Sequence, residues 1–132
     1  MRNKSIVIAG YGSIGKKYAD VLLKKNFDII VFDPKIINKK NKKIIFLNTY
    51  KLLLEEIKKR SIKVAIISSL ANTHYKNFNL FVENGIDRIL IEKPVTNNIS
   101  EYNKIINFKK KKNIFVSTHF KWSAIKLHKI IR

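Results

Sequence analysis

Three of the four glycines in this 132-residue sequence fall within one hexapeptide. Gly10-Tyr11-Gly12-Ser13-Ile14-Gly15 follows a short apolar run and precedes residues with helical spacing. In that context the first glycine permits a tight turn, the second lets a pyrophosphate approach the backbone, and the third lets the helix pack closely on the strand. The free N–H groups of the first helical turn then face the anion. The spacing therefore predicts a dinucleotide-binding turn rather than a glycine-rich turn of purely structural origin.

Asp33 is the second residue that could contact such a ligand. It lies 23 positions after Gly10, at the end of another apolar run. A carboxylate there can accept hydrogen bonds from both hydroxyls of an adenosine ribose and would repel a 2′-phosphate, which predicts NAD in preference to NADP. Lys35 is near enough in sequence to offset part of that repulsion. A simple turn role for Asp33, just before Pro34, is the alternative.

Alternating strand and helix patterns must position these residues. Six apolar runs predict strands at residues 5–9, 28–32, 44–47, 64–67, 88–91 and 114–116. Helical spacing follows the glycine turn and recurs at 50–60, 73–84 and 100–112, with Thr49 and Ser100 as candidate N-caps and Gly85 at a C-terminal cap position. The inward residues predicted for the last two helices are Tyr75, Phe78, Val82, Tyr102, Ile105 and Ile106. This alternation predicts an α/β fold, a doubly wound parallel sheet (Rossmann fold) of about six strands with helices on both faces.

Two further stretches carry a resemblance to a known family. Ser68-Ser69-Leu70-Ala71-Asn72-Thr73-His74 is a loop of small residues ending in histidine after the fourth predicted strand, and Glu92-Lys93-Pro94 follows the fifth. Together with the glycine turn and Asp33, these stretches resemble the N-terminal domain of the glucose-fructose oxidoreductase/inositol dehydrogenase (Gfo/Idh/MocA) family. The resemblance covers essentially the whole sequence, and Glu-Lys-Pro at this place is its most specific element.

The resemblance implies an NAD-dependent oxidoreductase acting on a sugar or polyol. Cofactor contacts are then implied for a set of residues in the two loops: Ser69, Leu70, Asn72, His74, Glu92 and Lys93. Lys93 would also point into the catalytic cleft and is the candidate catalytic residue, and Pro94 is often cis in this family. Two simpler roles remain open: His74 as an ordinary residue at the start of a helix, and Glu92–Lys93 as a surface ion pair.

The resemblance also implies that a substrate domain is missing. Residues 1–120 would form the NAD-binding domain and residues 121–132 a helical segment leading toward the absent domain. Lys121, Trp122 and Ala124 stand where relatives usually carry Arg, Phe and Pro, which weakens the case for substrate contacts there. We therefore expect a truncated chain that binds NAD and is catalytically incomplete alone. A fragment, one half of a split enzyme with a second chain, and a non-catalytic NAD-binding module are the alternatives.

A further expectation concerns the surface that a second domain would cover. Phe120, Trp122 and Ile125 are candidates for an apolar patch there, which would promote self-association.

The formal net charge is +19, from 28 Lys and Arg against nine Asp and Glu. Such an excess suggests an acidic partner such as a nucleic acid. However, 24 of the basic residues are Lys, and Lys, Ile and Asn all have A/T-rich codons, whereas sites that read bases or grip phosphates favour Arg. We therefore expect weak, salt-sensitive attraction to polyanions and no specific nucleic-acid partner.

Other classes of protein are excluded or disfavoured by composition. The sequence has no Cys, which excludes disulfides, Cys-ligated zinc and Cys nucleophiles, and no metal site is predicted. Its apolar runs are too short for a signal peptide or a membrane span. A cytoplasmic location is the expectation.

Overall fold

Strands and helices alternate through the described part of the computed structural model, residues 5–109 and 113–117. The strands are β1 (Ser5–Ala9), β2 (Asp28–Phe32), β3 (Ile44–Leu47), β4 (Ile62–Ile67), β5 (Arg88–Ile91) and β6 (Asn113–Val116). The helices are α1 (Ser13–Lys24), α2 (Tyr50–Lys59), α3 (Ala71–Glu83) and α4 (Ile99–Lys109). All strand pairs are parallel, in the order β3-β2-β1-β4-β5-β6. This arrangement confirms the predicted doubly wound sheet.

Side chains of the central strands alternate between two apolar layers. Ile6 and Ile8 of β1 pack with Tyr18 and Leu22 of α1, whereas Val7 packs on the opposite face with residues of α2, α3 and α4. Because both faces are covered, these strands are continuous apolar runs. Helices on both faces are therefore confirmed, but unequally: among the described residues, α1 covers one face and α2 to α4 cover the other.

Two of the predicted caps are found and one is wrong. The Thr49 hydroxyl accepts a hydrogen bond from the N–H of Leu52 at the start of α2, and Gly85 follows α3 with a φ of +80°. Helix α4, however, begins at Ile99, and the cap is Asn98, whose Oδ1 accepts from the N–H of Glu101 at 3.1 Å. An amide oxygen caps a helix as well as a hydroxyl does, so the earlier of two competent residues starts this helix.

The inward face of α3 was predicted only in part. Phe78 is buried as predicted, but Tyr75 and Val82 are half-buried, and the other buried positions are His74, Asn77 and Phe81. Two polar residues therefore occupy the inward face, which an apolar periodicity cannot reveal. In α4 the buried residue is Ile105, whereas Tyr102 is 40% exposed, so that expectation for Tyr102 was wrong.

Several predictions concern residues outside the described ranges. They are the end of α4 at 112, the helical segment 121–132 and the patch of Phe120, Trp122 and Ile125, and all of them stay predictions. Within residues 5–109 and 113–117, no helix has the length and apolarity needed to cross a bilayer.

Candidate functional site

The site lies where the sheet order reverses. The chain leaves β1 to form β2 on one side, while β4 pairs with the other side of β1, so a crevice opens between the loops at the carboxyl ends of these strands. A cavity of about 320 Å³ occupies this position. It is lined by Gly10, Gly12, Phe32, Asp33, Pro34, Lys35, Tyr50, Ser68, Ser69, Leu70, Thr73 and Asn77. Five of the residues predicted to bind a cofactor are thus brought together here: Gly10, Gly12, Asp33, Ser69 and Leu70.

The three glycines of the turn are needed for different reasons. Gly10 has a φ of +99°, and a Cβ there would lie 2.4 Å from the backbone nitrogen of Ser69. A Cβ on Gly15 would lie 2.0 Å from the carbonyl oxygen of Gly10. A Cβ on Gly12 would meet no atom within 4 Å. Packing of the protein itself therefore explains Gly10 and Gly15, whereas the free space at Gly12 is open to a ligand.

Helix α1 begins at this open glycine. Gly12 is the N-cap, it has no side chain to bond the first N–H groups, and the first turn carries no acidic residue. Those N–H groups and the positive end of the helix dipole suit an anion beside Gly12. Ser13 is exposed, and Ile14 is half-buried against the apolar layer under α1.

Asp33 is held by two backbone hydrogen bonds. Its Oδ2 accepts from the N–H of Tyr11 and its Oδ1 from the N–H of Lys35, each at 2.9 Å. The half-buried carboxylate is therefore fixed beside the glycine turn, and each oxygen keeps a further acceptor site for a ligand hydroxyl. The expected position of Asp33 is observed, and its contact with a ribose stays a prediction.

Tyr11 brings aromatic and cationic groups to the same edge. Its ring packs edge-on against Phe46 with centroids 5.3 Å apart, and the ammonium groups of Lys39 and Lys16 lie 4.7 and 5.8 Å from its centroid. Burial, and secondarily the negative charge of Asp20, raise the pKa of the Tyr11 hydroxyl above its ordinary value. The hydroxyl is thus neutral near physiological pH, and two ammonium groups lie beside the ring of Tyr11 in the glycine turn.

A polar network braces the loop after β4. The Tyr50 hydroxyl donates to Oδ1 of Asn77 at 3.1 Å, and Nδ2 of Asn77 donates to the Ser69 hydroxyl at 3.0 Å. The Thr73 hydroxyl lies 2.8 Å from the Ser69 hydroxyl and 2.7 Å from the Leu70 carbonyl oxygen. Because a carbonyl oxygen only accepts, the single Thr73 hydrogen goes to Leu70, and Ser69 donates to Thr73. Each hydroxyl hydrogen is used once, so the hydrogen bonds of these three hydroxyl groups are satisfied by the protein itself.

Sequence reasoning missed three lining residues that belong to this network, Tyr50, Thr73 and Asn77. Burial raises the pKa of the Tyr50 hydroxyl, which therefore stays a donor at neutral pH. One sequence feature could have indicated part of this network. Asn77 lies three positions after His74, so both polar residues fall on the same helical face. Two polar residues on an otherwise inward face mark buried hydrogen bonding.

His74 is buried rather than open to the cavity. It is 1% exposed, with Nε2 lying 2.8 Å from the Ser69 carbonyl oxygen and Nδ1 3.1 Å from that of Val95. A ligand contact by its ring would have to replace one of these bonds. Asn72 is exposed at the start of α3 and also lies outside the cavity lining.

Glu92 and Lys93 follow β5 at the same edge of the sheet but do not line the cavity. Oε1 of Glu92 accepts a hydrogen bond from the hydroxyl of Tyr18 in α1. Lys93 is exposed, precedes a cis peptide bond to Pro94, and forms no hydrogen bond or ion pair with any described residue. The two side chains therefore do not form the surface ion pair considered above.

In the described ranges, no group of His, Asp and Glu residues is arranged to hold a metal ion.

Comparisons with known proteins agree with this geometry. The model of the Gfo/Idh/MocA oxidoreductase family, with an NAD-binding Rossmann fold, matches residues 4–120. No curated protein matches the sequence. Among solved structures, the chain is similar to myo-inositol 2-dehydrogenase from Lactobacillus plantarum, with 17% identity and a TM-score of 0.71. It is also similar to a probable dehydrogenase from Thermotoga maritima, with 21% identity and a TM-score of 0.69. A third similar structure is the WlbA (WbpB) dehydrogenase from Thermus thermophilus, solved with NAD and alpha-ketoglutarate, with 14% identity and a TM-score of 0.68.

The match extends over only part of those relatives. For the Lactobacillus plantarum enzyme, the match covers 88% of this chain and 36% of the relative. For the Thermotoga maritima and Thermus thermophilus proteins, it covers 86% of this chain and 35% and 40% of the relative, respectively. The chain thus spans little more than a third of their length. At these identities the likeness to the structures shows the fold alone.

Proposed function

The chain belongs to the Gfo/Idh/MocA oxidoreductase family as its NAD-binding Rossmann domain, and from this we propose that its cavity binds NAD(H) in preference to NADP(H) for a reaction on a sugar or polyol. The observation that carries the cofactor preference is the fixed Asp33 carboxylate, bonded by the N–H groups of Tyr11 and Lys35. A carboxylate held in one place offers two acceptors to the hydroxyls of a ribose. It would repel a phosphate at the 2′ position.

The residues present fit a dinucleotide. The free space at Gly12 and the first N–H groups of α1 suit the pyrophosphate, and Asp33 suits the adenosine ribose. Leu70, which is 66% exposed beside the cavity, offers an apolar contact. As the family resemblance implies, we place Ser69, Asn72, His74 and Glu92 around the nicotinamide half. His74 would act there through the backbone carbonyl groups that its ring contacts. When bound, the nicotinamide would accept or donate a hydride.

Lys93 is the proposed catalytic residue. An ammonium at the end of β5, without a partner among the described residues, can polarise a substrate oxygen or pass a proton to or from it. Hydride transfer also needs the substrate hydroxyl to be held in a fixed orientation. We propose that most substrate contacts come from a further domain or a second polypeptide, because the chain covers little more than a third of its solved relatives.

The cofactor preference is tested by calorimetric titration with NADH and NADPH. We expect saturable NADH binding that is tighter than NADPH binding. Asp33→Ala should weaken NADH binding at least about tenfold, since hydrogen bonds to a charged acceptor are lost, and should narrow the difference between the two cofactors. Asp20→Ala is the matched control, because it removes one exposed carboxylate of α1 that does not line the cavity.

Different results would overturn different parts of the proposal. Tighter binding of NADPH by the wild-type chain would overturn the preference, and equal effects of the two substitutions would remove Asp33 from the site. The proposed need for a further domain or chain is tested separately, by incubating the chain with NAD and a panel of polyols and sugars. Formation of NADH by the chain alone would contradict that part.

A further inference from the structure

The segment 92–95, which presents Lys93, is held from both faces of the sheet. On the α1 face, Glu92 accepts a hydrogen bond from the hydroxyl of Tyr18. On the opposite face, the carbonyl oxygen of Val95 lies 3.1 Å from Nδ1 of His74 in α3. Lys93 lies between these two attachment points and is itself exposed.

Each attachment starts from a buried side chain that does not line the cavity. Tyr18 is 2% exposed and lies in the apolar layer under α1. His74 is 1% exposed and lies on the inward face of α3. A phenol buried among aliphatic side chains needs a polar partner, and Glu92 is one. Because Tyr18 lies in the helix that begins at Gly12, its bond connects the anion-binding turn with the segment that carries Lys93.

The His74 ring connects two loops at once. Its Nε2 lies 2.8 Å from the carbonyl oxygen of Ser69, in the loop after β4, while its Nδ1 lies against Val95, in the segment after β5. A neutral imidazole donates to one of these oxygens and the doubly protonated ring donates to both. In either form the ring lies between the two loops and contacts both of them.

We propose that Tyr18 and His74 are positioning residues that hold the segment 92–95 where the nicotinamide half of the cofactor binds. This inference rests on the proposed function, because it assumes that Glu92 and Lys93 face that half. Neither positioning residue lines the cavity beside Gly12 and Asp33, where we place the adenosine half. Loss of a positioning bond therefore affects a whole dinucleotide and spares a ligand that lacks the nicotinamide half.

The test compares NADH with ADP, which ends at the diphosphate. Tyr18→Phe removes one hydroxyl and keeps the buried ring, so the fold should survive. We expect NADH binding to weaken about tenfold in this variant, as for a lost hydrogen bond to a charged group, and ADP binding to change less than about twofold. Tyr102→Phe is the matched control: its hydroxyl is exposed on α4 and bonds no described residue, so both ligands should bind as in the wild type.

His74→Gln provides a second variant, since one amide nitrogen replaces two ring nitrogens that lie against different loops. It should show the same selective loss of NADH binding. Equal weakening of both ligands in Tyr18→Phe, or no change in either, would overturn the inference and assign the phenol a purely structural role. Failure of the wild-type chain to bind NADH and ADP would overturn the proposed function, and this inference with it. A wild type that binds both, with an unselective Tyr18→Phe, overturns the inference alone.

Discussion

Gly12 and Gly15 stand three positions apart, yet different atoms surround them. The carbonyl oxygen of Gly10 would lie 2.0 Å from a Cβ on Gly15, while the space around Gly12 is free of protein atoms to 4 Å. Backbone conformation does not separate them, since Gly12 has an ordinary φ of −75°. Packing of the protein therefore accounts for Gly15, whereas we propose that the space at Gly12 serves a ligand.

Two alanine substitutions follow from this contrast. Gly15→Ala should lower the free energy of unfolding by about 3 kcal/mol or more, because a backbone oxygen cannot move aside as a flexible side chain can. Gly12→Ala should change it by less than about 1 kcal/mol, because the methyl group enters open space. Chemical denaturation measures both values.

NADH titration of Gly12→Ala should show weaker binding, since the methyl group would keep the pyrophosphate from the backbone. Undiminished binding would place the pyrophosphate elsewhere.

Sequence patterns were enough to predict some residues of the site. They did not reveal the residues whose importance lies in hydrogen bonds to distant parts of the chain. Glycine spacing and the end of an apolar run were enough to find Gly12 and Asp33. Tyr18 and Asn77, in contrast, became visible only with their partners, Glu92 and Ser69, which lie 74 and 8 positions away. For His74, the family resemblance implied a cofactor contact, which stays a prediction. The structure adds that its ring is buried and lies against carbonyl oxygens of two loops.

At the scale of elements, the start of α4 depends on a few local hydrogen bonds. The Thr96 hydroxyl donates to Glu101 and accepts from the N–H of Asn98, while Asn98 caps the helix. Ser100 was predicted as the cap from the sequence, but Asn98, two positions earlier, also has a side-chain oxygen that can accept a hydrogen bond. The backbone conformation decides between them. Helix boundaries are for this reason less predictable than the presence of the helix.

The cap assignment predicts unequal effects of two similar substitutions. Asn98→Ala should destabilise the domain by about 1 kcal/mol, because an N–H group at the helix start loses its acceptor. Ser100→Ala should change stability by less than about 0.5 kcal/mol, since its position lies within the helix and is exposed. Thermal unfolding of both variants measures the difference. A larger loss in Ser100→Ala would contradict the assignment.

The last turn of α2 carries the ion pairs of Glu56 with Lys59 and Arg60, at 3.3 and 2.9 Å. The hydrogen bond from Arg60, followed by the contributions of Lys59, lowers the pKa of Glu56 below its ordinary value. A lowered pKa in the folded state stabilises the protein above the unfolded-state pKa, and this contribution disappears as the pH falls through the folded-state value.

Glu56→Gln should therefore lower stability near neutral pH, by up to about 0.5 kcal/mol after screening by solvent. The difference from the wild type should shrink at an acidic pH below the lowered pKa of Glu56, where the wild-type carboxylate is also neutral. Thermal unfolding at both pH values measures it. A difference that grows on acidification would show that the ion pairs do not stabilise α2.

On the scale of the whole molecule, the sequence predicted the sheet, its parallel pairing and its two covered faces. Continuous apolar runs alternating with helical periodicity leave few other arrangements. The unequal covering, with α1 on one face and α2 to α4 on the other among the described residues, follows from a detail of connectivity. No helix separates β2 from β3, which are joined by a loop rich in lysine. Strand patterns alone do not show which face each connection crosses.

Net charge poses the main alternative to a specific site. A chain of charge +19 attracts any polyanion. The two phosphates of a dinucleotide would therefore be attracted even without a specific binding cavity. Attraction of this kind is screened by salt and does not depend on the position of a single methyl group or carboxylate. The proposed binding at Gly12 and Asp33 should instead persist when the salt concentration is raised.

The most direct test of the central claim is a calorimetric titration of the chain with NADH at about 0.15 M salt, where long-range attraction between exposed charges is largely screened. Binding at the switch point of the sheet predicts a saturable transition with one NADH per chain, retained at this salt concentration. Absence of binding, or binding that appears only at low salt and does not saturate at one equivalent, would contradict the claim.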